Sequence, residues 1–273
     1  GNKFGRIVGD RLESVEEYED WDRKLQHSRA RFLASLLIWL DGKRHPEEPM
    51  PLEILLWGGD EIMIALPADV ALEAVSRFFE FTSELKWKRQ NLTHALGLVI
   101  CNYKTPIQKI KALAIDLADR VKAELGDAPE AQQNAWQYAV LESVDTPTDL
   151  DAFFAERYAK AAKVLKPLLA NESSFEDLLE KVRPLQAEVP RSQLYRLAHR
   201  LSRDPGDRDA IERFEEIAPM SLQVLTNKIT AVLPQRPLPE EAMAVAPAAH
   251  VLHWTELLDY WPAPTEKEPG ETR

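Results

Sequence analysis

Two short apolar runs, Leu52 to Trp57 and Ile62 to Leu66, are separated only by Gly58-Gly59-Asp60-Glu61. Runs of this length around a polar, glycine-rich tip spell a β-hairpin. Glycines at the tip let a phosphate or a base approach the backbone with no Cβ in the way. A carboxylate beside them can hold a divalent metal that bridges those phosphates. Gly-Gly-Asp is also ordinary turn chemistry. Here the apolar flanks put the acids on the tip of a buried hairpin.

The elements around the hairpin follow a definite order. A helix is expected from about Leu12 to Leu40, with Ala30, Leu33, Leu37 and Leu40 on one face, ended by Asp41-Gly42-Lys43-Arg44-His45-Pro46. After the hairpin come a helix from Ala68 to Leu85 and a strand from Leu92 to Cys101, in which Gly97 permits close backbone approach. Pro106 opens a helix reaching Leu125, with Ile107, Ile110, Leu113, Leu117 and Val121 inward. Trp136 to Val144 returns as a strand. With one more strand at or before Gly1, this order is the split β-α-β of ferredoxin-like folds plus an extra helix and strand.

From Asp149 the character changes. Asp151–Ala170, Phe175–Ala187, Arg191–Leu201 and Asp207–Leu233 read as helices of a small bundle, with Pro184 and Pro219 breaking or kinking two of them. After Pro234 the chain is rich in Pro and Ala and reads as an extended linker. His250 to Trp261 is able to dock Trp254, Tyr260 and Trp261 onto the body. The expected fold class is therefore α+β: a palm over 1–148, an all-α helical domain over 149–233, and a tail over 234–273 with a short aromatic helix.

Composition limits the partners. A net charge of −11 argues against coating a nucleic-acid backbone, whereas a small anionic ligand needs only a metal or local basic groups. The single cysteine, Cys101, excludes an internal disulfide framework and a cysteine-rich metal site. No apolar run approaches the roughly 20 residues of a membrane span, so no membrane partner and a cytoplasmic location are expected. The opening on Gly1 suggests a chain whose earlier residues lie outside this sequence. The six histidines show no zinc spacing, and His94 within a strand reads as a packed side chain. Lys86, Lys88 and Arg89 around Trp87 form a local basic patch, most simply a solvated turn. Nucleophile elbows and P-loops are absent.

Trp57-Gly58-Gly59-Asp60-Glu61, Leu92-Thr93-His94-Ala95-Leu96-Gly97-Leu98-Val99-Ile100 and the helix from Pro106 to Ala118-Asp119-Arg120-Val121-Lys122 resemble a known family. It is the second palm domain of the large, polymerase-cyclase subunit of type III CRISPR effector complexes. Gly1-Asn2-Lys3-Phe4-Gly5 resembles the end of that family's first strand, and His27-Ser28-Arg29-Ala30 to Leu40 its following helix. The resemblance covers roughly half the chain. It implies ATP as substrate, Mg2+ or Mn2+ as cofactor, and cyclic oligoadenylate second messengers of antiviral defence as product. Asp60 would be the hairpin metal ligand and Glu61 a supporting acid or second ligand. Gly58 and Gly59 would admit the nucleotide, Asn2 would lie near base or ribose, and Lys122 would face the triphosphate. The implied partners are other effector subunits, guide RNA through them, and a second palm in a dimer.

Two departures stand out. Glu61 replaces the usual second aspartate of the tip, and the first-strand aspartate is expected to lie before Gly1. They favour an alternative, a catalytically inactive palm serving as nucleotide sensor or scaffold. Diguanylate cyclases share the tip as well. In this chain, however, Ile62 replaces the phenylalanine usual after it, and Pro49 and Leu52 stand where that family's inhibitory Arg and Asp would lie.

Overall fold

The computed structural model describes residues 14–58, 61–87, 90–126, 133–143, 147–236, 238 and 240–262. The chain is α+β and mostly helical, and residues 1–94 and 95–273 form two compact units. Residues 95–143 thus group with the helices that follow them.

The first unit opens with helix α1 (Val15–Asp41), of 27 residues. Ser14 caps it, its hydroxyl accepting from the Glu17 N–H at 3.2 Å, and Glu16 and Glu17 face the positive end of the helix dipole. Strands β1 (Glu53–Gly58) and β2 (Glu61–Ala65) form the expected hairpin, followed by a 3-10 turn and helix α2 (Ala71–Ser83). The two-residue strands β3 (Lys86–Trp87) and β4 (Gln90–Asn91) add a second small hairpin. Phe32, Leu36 and Leu40 of α1 form the core, with Ile62, Ile64, Phe78 and Phe81 packed on them. The buried face of α1 is thus rotated from the expected one: Ala30 is exposed, and Leu33 and Leu37 are only half-buried. Both sets have helical spacing, and the aromatic ring of Phe32 wins the interior, meeting Phe78 edge-on at 5.4 Å.

In the second unit, β5 (Ala95–Ile100) pairs in parallel with β6 (Ala135–Val140), and helix α3 (Ile107–Leu125) connects them. Leu113, Leu117, Val121 and Leu125 of α3 are buried, while Ile107 in the first turn is exposed. A Cβ on Gly97 would lie 2.1 Å from the Ala114 carbonyl oxygen and 2.9 Å from Leu117 Cβ. Only glycine lets α3 approach β5 this closely.

Helix α4 (Leu150–Tyr158) stops well short of Ala170. Ala159 takes a positive φ of 47°, a 3-10 segment follows, and Pro167 precedes the short strand β7 (Leu168–Leu169), which pairs with β6. Helices α5 (Phe175–Glu188), α6 (Arg191–Arg203), α7 (Arg208–Ile217) and α8 (Leu222–Val232) complete the expected helical run. Pro184 is accommodated inside α5. Pro219 lies in the break between α7 and α8, where the Ser221 hydroxyl caps the new helix at 3.3 Å from Val224 N.

The segment after Pro234 is more than a linker. Gln235 bridges to Leu168, and helix α9 (Ala246–Leu257) is buried against α6 and α8. Trp254 is fully enclosed, and Trp261 stacks on Phe175 at 5.9 Å with a 10° interplanar angle. Every residue of β6 is buried, and the Tyr138 hydroxyl lies 2.9 Å from His253 Nδ1 of α9. Among the described residues no helix is long and apolar enough to cross a membrane. The β1–β2 and β5–β6–β7 ladders are separate sheets, so the single sheet of a ferredoxin-like palm is not among the described pairings.

Two outcomes are expected. Gly97→Ala should lower unfolding free energy by about 1–3 kcal/mol, read from urea denaturation, because backbone atoms of α3 must move. Burial holds the imidazoles of His253 at about 3 and His250 at about 4, so both are neutral when folded. Unfolded imidazoles titrate near 6.5, so between that pH and the folded values the unfolded chain binds more protons. Their contribution is full above pH 6.5 and is lost as pH falls through this window. His253→Gln should reduce the pH slope of stability between about pH 6 and 4 by about one proton. An unchanged slope would remove His253 from the account.

Candidate functional site

The hairpin register is Glu53↔Ala65, Ile54↔Ile64, Leu56↔Met63, Trp57↔Ile62 and Gly58↔Glu61, with a bulge at Leu55. The extra residue shifts alternation, so Trp57 joins Ile62 and Ile64 on one face, while Leu56, Met63, Gly58 and Glu61 share the other. The Gly58–Glu61 pair is the last rung before a two-residue turn. Glu61 is exposed there, and a Cβ on Gly58 would meet nothing within 4 Å. Space at Gly58 therefore remains open on a rung whose strands are anchored from beneath.

Helix α1 sets the height of the tip. Leu40 belongs to the cluster that takes in Leu52, and Arg29 lies over the Trp57 ring, its Cζ 5.8 Å from the centroid. The helix from Leu40 back to Arg29 and the strand from Leu52 to Trp57 each span about 16 Å, so both contacts hold in one antiparallel packing. N-terminal to Arg29 the helix continues for about four turns. There Trp21 and Leu25 pack on Leu85 and Leu92, the residues flanking β3 and β4.

Charge is segregated along this helix. Glu16, Glu17, Glu19, Asp20 and Asp22 open it, after which Arg23, Lys24, Arg29 and Arg31 occur with no acid before Asp41. A chain of net charge −11 thus has a locally basic stretch that includes the helix position opposite Trp57.

The described structure contains only some of the expected site residues. Gly58 and Glu61 share the terminal rung. Gly59 and Asp60, and likewise Asn2, lie outside the described residues, as do Lys88 and Arg89 of the basic patch. Lys122 belongs to α3 in the second unit, its Nζ 2.7 Å from Asp119 Oδ1. His94 stands edge-on to Phe78 at 5.4 Å, a packed histidine as expected. Among the described residues no group of three or more His, Cys, Asp or Glu side chains is placed to hold a metal ion. The donor types at the tip, Asp60 and Glu61, are carboxylates, the hard oxygen ligands that suit Mg2+ or Mn2+.

The second unit has a different polar cluster. Arg157 holds Glu256 through Nη2–Oε2 at 2.8 Å and Nε–Oε1 at 3.1 Å, and reaches Glu142 at 2.9 Å. Burial pushes the Glu256 carboxyl up, and the Arg157 guanidinium opposes that. Tyr195 is pushed up to about 12 by burial and its bond to Asp259. Each carboxylate here has a cation, so the cluster reads as a satisfied network that ties α9 to its neighbours.

Comparison with protein-family models, curated proteins and solved structures gives no match.

The open rung carries its own test. Gly58→Ala should change stability by no more than about 0.5 kcal/mol, since the added methyl points into free space. A large loss in thermal unfolding would mean that Gly58 is needed by the fold rather than left open for a ligand.

Proposed function

We propose that this chain is a palm-type nucleotidyltransferase module that binds ATP at the acidic hairpin and joins it into cyclic oligoadenylate-type messengers. The observation that carries the reading is the terminal rung: an exposed Glu61 beside Gly58, open to approach, on a hairpin anchored by α1. The resemblance of Trp57-Gly58-Gly59-Asp60-Glu61 and its flanking elements to the second palm of the type III CRISPR large subunit gives the reaction class. In this reading the chain's partners are other effector subunits in the cytoplasm.

Asp60 and Glu61 would hold a divalent cation, which when bound offsets the charge of the phosphates. By the resemblance, Gly58 and Gly59 would admit the nucleotide, Asn2 would lie near the base or ribose and Lys122 would face the triphosphate. The geometric demand on Glu61 is tighter than on an aspartate, because its longer arm has one more rotatable bond to fix.

The test is incubation of the chain and of Asp60→Ala with radiolabelled ATP and magnesium or manganese. Metal-dependent ATP binding is expected, with cyclic product, and both should fall at least about tenfold in Asp60→Ala. Binding without product would favour the sensor or scaffold alternative. Absence of metal-dependent binding in the parent chain would sink both.

A further inference from the structure

The inward stripe of α1 runs Trp21, Leu25, Arg29, Phe32, Leu36 and Leu40, in steps of four and three residues, with Leu25 and Arg29 half-buried and the other four buried. All but one of these side chains are apolar and pack into the interior; the exception is a guanidinium. Arg29 Nε and Nη1 are enclosed and have no hydrogen-bond partner. Dehydrating a cation without giving it a partner is costly, and a well-packed apolar side chain there would avoid the cost.

The same unit shows how a buried charge is ordinarily satisfied. Glu73 is enclosed and is gripped by Lys43 at 2.6 Å and Arg77 at 2.8 Å. Among the described residues no carboxylate pairs with Arg29, and its own helix has no acid between Asp22 and Asp41. Its position is equally specific. It lies over Trp57 on the helix-facing side of the hairpin, one rung, about 3.4 Å along the strand, from the Gly58–Glu61 pair, whose side-chain positions face the other way.

We propose that Arg29 binds phosphate on the helix-facing side of the hairpin, beside Trp57, and grips the polyphosphate chain of the nucleotide. Identification of the ligand as a nucleotide rests on the function proposed above; the preference for an anion comes from the unpaired guanidinium itself. A phosphate supplies the missing acceptors as charge-assisted hydrogen bonds, and the guanidinium fork takes two oxygens at once. The Trp57 indole, its centroid 5.8 Å from Arg29 Cζ, attracts the guanidinium and holds it at the hairpin before the ligand arrives.

The experiment titrates the full chain, Arg29→Gln and Arg29→Lys with tripolyphosphate in EDTA, followed by calorimetry and thermal unfolding. Arg213→Gln, in the second unit, serves as control. Tripolyphosphate should bind the parent and the control alike and at least about tenfold more weakly to Arg29→Gln, with Arg29→Lys between them. The unliganded melting temperature of Arg29→Gln should equal or exceed the parent's, since a half-buried cation with two unpaired N–H groups is removed; a residue kept only for packing would give a lower one. Equal affinity of parent and Arg29→Gln, or no tripolyphosphate binding by the parent, would overturn the assignment. A parallel titration with ATP and magnesium separates the two ideas. Metal-dependent ATP binding that is unaffected in Arg29→Gln leaves the nucleotide site standing and removes Arg29 from it. Metal-free tripolyphosphate binding that needs Arg29, without metal-dependent ATP binding, keeps the anion site and removes the nucleotide reading.

Discussion

The packing of Phe32, Leu36 and Leu40 against Ile62 and Ile64 determines where the acidic tip can be. A two-stranded hairpin is marginal in water, and this one holds its shape because α1 covers one of its faces. Helix and strand advance at different rates per residue, so anchoring Leu40 beside Leu52 brings Arg29 level with Trp57 with no further choice. The bulge at Leu55 then decides which side chains face the helix. Without that extra residue, Trp57 would turn to the side now occupied by Gly58 and Glu61, and the terminal rung would be filled by an indole.

The second unit depends on a different close approach. Gly97 lets α3 lie against β5 at a separation no side chain permits, and β6 is then enclosed along its whole length. Helix α9 supplies Trp254 and His253 to this interior. Burying a histidine beside a tyrosine hydroxyl ties strand and helix together through a hydrogen bond, and it makes the arrangement sensitive to acid. Arg157 in this unit is matched by Glu256 and Glu142, whereas Arg29 of the first unit has two enclosed N–H groups without an acceptor.

A chain of net charge −11 can still present a locally basic surface. Net charge governs long-range attraction, which screening weakens over about 8–10 Å, whereas recognition of a phosphate is decided by donors within hydrogen-bond reach. The basic stretch from Arg23 to Arg31 supplies such donors on the helix that supports the hairpin. The acids that produce the net charge lie in other segments or ahead of this stretch on α1.

The hairpin and its length were legible in the sequence, because two short apolar runs around Gly-Gly-Asp-Glu admit few other local structures. The α3 periodicity, the closeness demanded at Gly97 and the docking of Trp254 and Trp261 were legible for the same reason: they depend on residue type and spacing. The end of α4 at Tyr158 was not, since Asp151 to Ala170 is rich in helix formers and only pairing of Leu168 with Trp136 pulls the chain into a strand. Nor was the rotation of α1, where two stripes compete and the partner surface of Ile62, Ile64 and Phe78 chooses between them. Arg29 shows the same division most clearly. Its charge and the lack of acids around it are written in the sequence. Its burial over Trp57 is not, because whether a cation faces water or an indole is settled only when the helix meets the hairpin.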